Sequence, residues 1–478
     1  MNNDAILTTQ KKGDLVAQVV IVGAGLTGLC VAHHLEQNGF YDFKIFEKNN
    51  IPGGLLRSFD QDEFTFDFTG HLLHINDPYF FDFINSISNI NDFNLISRNS
   101  AIYLQEKTTP YPFQINLDGL PSDIVLESIY GFINRKKSIK QPKTFYDWVL
   151  KYFGPGMGKF FFFPYNQKIL SYDIKKITPS WTGRFIPKTD LKTILQSALC
   201  KNVTKDVGYN NHFYYPRSGG IEFLIKQITR NLKSSIHTNH NALSINPINK
   251  MVSFENGHQE KYKILINTTP LDLFLKSFQE KADSTLKKAI PNLLCNSVVN
   301  FNLGFNVEKL TDKHWMYFPE KKYHFYRIGF WHNINKASAK KDCTAIYGEL
   351  SYLPNTKSEK QIQNLTDKAI KRSVKTLGLK ESNIVTEKIL HIPHAYVICN
   401  FWREKNLKKL LTKLKESSIY SIGRYGEWKY ASMQEAVLEG KRTATEILDI
   451  LNITKQKNII PAIQYIEKKE NYSKQKQL

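Results

Sequence analysis

The stretch VVIVGAGLTGL, residues 19–29, constrains the fold of this chain more than any other segment. An apolar, β-branched run stops on Gly23, Gly25 and Gly28 and passes without a linker into an apolar helical pattern. A glycine at the first position permits a tight turn, the second lets backbone approach a pyrophosphate, and the third lets the helix pack closely on the strand. The phosphate then rests on the free N–H groups of the helix N-terminus. The pattern predicts a strand over 18–22, a helix over 27–38 and a second strand over 44–47. Glu47 ends that second strand, about 20 residues beyond the last glycine, where a carboxylate accepts hydrogen bonds from ribose hydroxyls. The same glycines interrupt the longest apolar stretch, 16–32. A bilayer requires roughly 20 apolar residues, so no transmembrane segment is expected.

Just past Glu47 the sequence EKNNIPGGLLRSF places Gly53 and Gly54 ahead of Arg57. Bare backbone beside an arginine suits a second stretch along an extended cofactor, which points to FAD rather than NAD. From about residue 121 to 198 the texture turns helical, with segments such as SDIVLESIYGFINRKK and KTFYDWVLKYFG. Short strands are predicted over 235–245, 251–255 and 264–268, and an antiparallel sheet between 296 and 352. The basic segment NLKKLLTKLKE reads as a surface helix packed on the protein.

Composition narrows the remaining classes. With 41% hydrophobic residues the 478-residue chain buries a large core, which excludes a disordered or collagen-like protein. The net charge of +21 suits nucleic acid, an anionic surface or a phosphate-bearing substrate. Its lysines are scattered along the chain, as expected of solvated faces, and no nucleic-acid partner is predicted. Five widely spaced cysteines form no CxxC pair, and no apolar signal region follows the N-terminus. A reducing, cytoplasmic location is therefore expected. The pairs His71/His74 and His391/His394 form HxxH without a HExxH context, so no metal is predicted.

The ordered set GAGLTGL, Glu47, PGGLLRS and FTFDFTGHLLH resembles the FAD-binding opening of amine oxidases, protoporphyrinogen oxidases and flavin-dependent sugar mutases. The later segments YPFQ, PYNQKI, DKHWMYFPE, FYR and IGRYGEWKY resemble UDP-galactopyranose mutases, their eukaryotic-type branch in particular. The resemblance implies a nucleotide-sugar pyranose/furanose mutase of surface polysaccharide biosynthesis, in which N5 of reduced FAD attacks the anomeric carbon and UDP leaves and returns without net redox. NAD(P)H is a candidate reductant. It also implies roles. Arg184 and Arg327 neutralise the diphosphate, with Tyr317, Tyr396 and Tyr430 as hydrogen-bond donors to it. Gln114 and Asn166 line the nucleotide pocket and Asn210 bonds the substrate. His71 lies beside the flavin ring and Arg424 contacts FAD.

The expected fold is α/β. A composite Rossmann-like FAD-binding domain (1–100, 206–290 and 386–452) carries an inserted, mostly helical substrate domain (101–205), an antiparallel-sheet substrate domain (291–385) and a basic tail (453–478). Four positions depart from the resemblance. Asn76 aligns with a mobile second histidine of the mutases, Leu170 with a nucleotide-side tryptophan, and Thr69 with a glycine. After the last tyrosine, ASMQEAVLEG resembles the C-terminal helix of ordinary flavin oxidoreductases. An FAD-dependent oxidase or desaturase is the second reading, and a flavin-bound protein without catalysis the third. The oligomeric state is left open.

Overall fold

A parallel strand covered on both faces has no solvent side, and β1 (Ala17–Val22, AQVVIV) is correspondingly apolar on both. The computed structural model, which describes residues 17–183, 185–200, 210–278 and 284–453, places β1 at the centre of a seven-stranded sheet. Helix α1 (Leu26–Gln37) carries the chain over to β2 (Phe43–Phe46), which runs parallel to β1 with Val22 opposite Phe46. On the other side of β1 lies the strand Gln259–Asn267, also parallel, with Asn267 opposite Val22. Its first residues pair antiparallel with Met251–Phe254, which pairs with Ala242–Asn246. Ile236–His237 extends the sheet beyond β2, and Ile419–Ser421 pairs with the end of Gln259–Asn267. One Rossmann-like layer is thus assembled from three separated stretches of chain.

The last helix, Met433–Ile450, begins in a capping box of Ser432 and Glu435 and packs on α1. Gly440 makes this approach close: a Cβ there would sit 2.7 Å from Cβ of Cys30 and 3.0 Å from its carbonyl carbon. The basic segment NLKKLLTKLKE lies within the helix Phe401–Glu416, whose Leu407, Leu410 and Leu414 are buried in the same cluster as Ile419. Among the described residues no helix is long and apolar enough to cross a membrane.

A second seven-stranded sheet is antiparallel except at one pair. Next to its edge strand Ile384–Ile392 lies Ser297–Phe305, buried throughout and paired on its other side with Thr344–Tyr352. Arg327–Phe330 and Trp315–Tyr317 follow, and Trp315–Tyr317 then pairs in parallel with Ser100–Leu104. The hairpin of Ser100–Leu104 and Lys107–Pro110, at the start of the segment that reads as mostly helical, is the edge of this sheet. Its strands are too short to show a period in the sequence. The helices proper are Ser122–Ile133, Phe145–Tyr152, Phe163–Leu170 and Leu191–Cys200. Ser122–Ile133 meets the turn at Gly154 and Gly156 backbone to backbone, because a Cβ on Gly156 would lie 2.1 Å from the Glu127 carbonyl oxygen. The lysine-rich tail beyond Ile453 lies outside the described residues.

Gly440→Val tests the contact between the last helix and α1. Overpacking there costs about 1–3 kcal/mol, more than the helix propensity a glycine replacement returns, so the melting temperature is expected to fall. An unchanged thermal melt would show that the two helices separate freely.

Candidate functional site

The two sheets and the helical segment enclose one continuous cavity of about 880 Å³. At one end the turn after β1 forms its floor. Gly23 adopts φ +100°, and a Cβ on Gly28 would lie 2.0 Å from the Gly23 carbonyl oxygen, so α1 starts directly against the turn. Gly23, Gly25, Gly53 and Gly54 line the cavity, whereas Gly28 sits behind them as the packing residue. The two glycine segments lie side by side: Gly53 N–H donates to the Ala24 carbonyl at 2.9 Å, and Gly25 and Gly53 form a bridge.

Glu47 is 5% exposed and held in place from both sides. Its Oε2 accepts from Ala24 N–H at 3.0 Å, and its Oε1 accepts from the backbone and side-chain N–H groups of Asn49 at 3.0 and 2.8 Å. A carboxylate offers about four lone-pair positions, so three bonds leave room for a ribose hydroxyl. Arg57 lines the same end, and its buried Nε has no hydrogen-bond partner.

The turn after the strand Phe64–Asp67 carries the chain past the middle of the cavity. Asp67 is fully buried, and it accepts from the hydroxyls of Ser58 and Tyr215, each at 2.6 Å, and from Ile221 N–H. Burial pushes its carboxyl up to about 6. This knot ties the segment PGGLLRSF to RSGGIE. Thr69 follows at φ +60°, a left-handed conformation that strains a β-branched residue. A buried row of asparagines supports it, with Asn300 Oδ1 accepting from Thr69 N–H at 3.4 Å and from Asn302 Nδ2 at 2.8 Å. Gly70 next to it is required by Tyr347, whose hydroxyl would lie 2.4 Å from a Cβ. His71 then faces the cavity with Nδ1 buried and without a partner. Burial, with the charges of Arg424 and Arg327, pushes its imidazole down to about 4, so it is neutral at pH 7.

The far end is polar and aromatic. Arg327 donates through Nε and Nη2 to both oxygens of Glu349, at 2.6 and 2.7 Å, and Glu349 is entirely buried. Two of the five guanidinium N–H groups are so engaged, and three remain. Tyr317, Tyr326 and Tyr396 line the cavity around it, and burial raises all three phenols, which stay protonated at neutral pH. Tyr396 and Tyr430 lie stacked with ring centroids 6.4 Å apart, and Arg424 is 4.9 Å from the Tyr430 ring while donating to the carbonyls of Ala431 and Ala395. Gln114 is anchored on the Pro187 carbonyl at 2.8 Å and Asn166 on that of Phe162 at 2.8 Å. Asn210 lines the cavity with its Oδ1 bonded to Arg98. Arg184 lies outside the described residues.

Sequence reading missed Glu349, although a lone carboxylate in the strand TAIYGELSY is a visible signal. It also missed Trp181, Trp315 and Tyr326, cavity-lining side chains with a buried polar atom that has no partner. Of the two HxxH pairs, His74 bonds the His212 carbonyl and His394 pairs with Asp272. Among the described residues no group of three candidate ligands gathers around a metal position. The side-chain-free floor, the spare capacity of Glu47 and the unpartnered Arg57 Nε and His71 Nδ1 fit FAD.

A family model of flavin containing amine oxidoreductases matches residues 26–448. The fold is similar to that of a reduced UDP-galactopyranose mutase, at 25% identity and a TM-score of 0.84, covering 92% of this chain and 95% of that one. It is also similar to a candidate protoporphyrinogen oxidase from Exiguobacterium, at 16% identity and a TM-score of 0.69, covering 91% and 99%. A 4,4'-diapophytoene desaturase of Staphylococcus aureus is 33% identical over 132 residues, a match spanning 24% of either chain. The chain therefore covers about a quarter of that curated relative's length.

Two outcomes are expected from this geometry. Thr69→Gly removes a strain of about 1–3 kcal/mol and should raise the melting temperature, whereas Thr69→Val should not. The imidazoles of His71, His74 and His314 are each pushed from 6.5 to about 4 by burial. The folded protein thus binds fewer protons there, and their contribution to stability is lost as pH falls from 6.5 towards 4. Asp67, raised to about 6, and Glu439, raised to about 7, act in the opposite sense, against these three histidines and His34, which burial likewise pushes down to about 4. Urea titrations at pH 7, 5.5 and 4.5 should therefore give falling stability, and a rise on acidification would contradict the assignment.

Proposed function

Because the chain belongs to the family of flavin containing amine oxidoreductases, we propose that it is an FAD-dependent nucleotide-sugar pyranose/furanose mutase, acting in the cytoplasm in surface polysaccharide biosynthesis. The observation that carries this reading is the guanidinium of Arg327, fixed in direction by Glu349 and surrounded by protonated phenols at the end of the cavity away from the glycine floor. An arginine fork suits phosphate oxygens; a polyene or simple amine has no use for it, whereas the carboxylates of a porphyrinogen-like substrate would. The similarity to a UDP-galactopyranose mutase over nearly the whole chain supports the same reading.

In this proposal Gly23, Gly25, Gly28, Gly53, Gly54, Glu47, Arg57 and Arg424 hold FAD. Bound in reduced form, with NAD(P)H as the proposed reductant, FAD supplies a nucleophile for the anomeric carbon. Arg327 and Arg184 hold the diphosphate as it departs and returns, and Tyr317, Tyr396 and Tyr430 donate hydrogen bonds to it. Gln114 and Asn166 receive the nucleotide, Asn210 orients the sugar, and His71 stands neutral beside the flavin, where it adds no positive charge to the site. The segments 101–205 and 291–385 act as substrate domains against the FAD-binding parts 1–100, 206–290 and 386–452. The aromatic walls exclude water while charge separates.

Two observations favour a second reading, an FAD-dependent oxidoreductase. Glu349 neutralises Arg327, and a segment of the chain is similar to a diapophytoene desaturase. Incubating the dithionite-reduced protein anaerobically with UDP-galactopyranose and chromatographing the sugars separates the two. Exchange between pyranose and furanose only when the flavin is reduced, without net reoxidation, is expected. No exchange, with UDP leaving the flavin spectrum unchanged, would favour the oxidoreductase. Arg327→Met, paired with Glu349→Gln so that no buried carboxylate stands alone, should retain FAD. It should lose about 1.5–3 kcal/mol of transition-state binding, roughly 10- to 150-fold in kcat/KM.

A further inference from the structure

Two of the departures from the mutase pattern meet in space. Asn76 follows the His71 turn, and the helix opening ASMQEAVLEG supplies Gln434, which is 7% exposed. The side-chain Oε1 of Gln434 accepts from the backbone N–H of Asn76 at 2.7 Å and from that of Asp77 at 2.9 Å. Asp77 in turn caps the helix Pro78–Ile87, its carboxylate accepting from the N–H groups of Tyr79 and Phe80. Ser432, Met433 and Ala436, on the same first turns as Gln434, line the cavity.

The His71 segment is therefore fixed at three places. Asn300 holds Thr69, and Leu73 exchanges both backbone hydrogen bonds with Tyr214, at 3.0 and 2.8 Å. Gln434 closes the far end. The acceptor oxygen of Gln434 is buried and takes two adjacent N–H groups, so losing it leaves the Asn76–Asp77 backbone untied from the last helix.

We propose that Gln434 is a positioning residue of the flavin site: it locks the Asn76–Asp77 backbone to the cavity end of the last helix, and so holds the His71 turn in one place whether the flavin is oxidised or reduced. The inference rests on FAD binding and not on the mutase reading. Failure of sugar exchange leaves it standing.

The test uses the FAD-loaded full-length protein and two variants, Gln434→Leu and Gln434→Glu. Leucine fills a similar volume without an acceptor, whereas glutamate keeps an oxygen for both N–H groups. Hydrogen exchange followed by mass spectrometry over 69–77, before and after dithionite reduction, reads the turn, and the flavin midpoint potential reads the site. In the wild type the exchange of 69–77 is expected to be the same in both redox states. Gln434→Leu is expected to exchange roughly tenfold faster there or more and to shift the midpoint potential, and Gln434→Glu to restore both. A variant with leucine that matches the wild type in exchange and potential would overturn the proposal. So would a wild-type turn whose exchange changes on reduction, a comparison that decides the matter even if the leucine variant loses its flavin.

Discussion

The contact on which the rest depends is the seating of α1 against the turn at Gly23. A Cβ on Gly28 would lie 2.0 Å from the Gly23 carbonyl oxygen, so the helix begins as close to the strand as backbone permits. That closeness has two consequences. It leaves the first N–H groups of α1 open onto the cavity floor, and it sets the depth at which Cys30 meets Gly440 of the last helix. The glycine floor of the cavity and the packing of the C-terminal helix are thus two results of one steric constraint, which explains why residues separated by most of the chain act on the same cavity.

From that floor to the far end, buried polar groups do the positioning. Around the turn 58–77, Asp67 accepts from Ile221 N–H, Asn300 from Thr69 N–H and Gln434 from the N–H groups of Asn76 and Asp77. Such groups cost little when fully bonded and much when one partner is missing, so they fix one arrangement of the chain. Thr69 is the exception within this set. Its left-handed backbone is tolerated because Asn300, Tyr347 and the His71 N–H bond to its carbonyl leave the segment no alternative path.

The arginine and tyrosine end follows a different logic. Arg327 and Glu349 face each other across adjacent strands, in register, so the ion pair is a product of sheet pairing. The pair fixes the direction of the guanidinium while its remaining donors stay available. Because Glu349 neutralises the charge, what Arg327 offers a phosphate is a fixed fork of remaining N–H donors rather than an uncompensated cation. The scattered charge that gives the chain its +21 adds little to this, since exposed charges are screened within about 10 Å.

What the sequence determined by itself was the local geometry. Three glycines, the β-branched run before them and Glu47 specify a strand, a turn, a helix and a carboxylate at the end of the next strand, because each of these depends on residues a few positions apart. The turn and helix boundaries come within a residue or so of those the spacing predicts. The pairing of Arg327 with Glu349, the hairpin at Ser100–Pro110 as a sheet edge, and the meeting of Asn76 with Gln434 were decided only by tertiary structure. Each joins residues tens to hundreds of positions apart through strand register or helix docking, and no spacing rule reaches that far. A buried asparagine or a lone carboxylate in an apolar strand announces in the sequence that a partner must exist. Only the packed chain determines which residue that partner is.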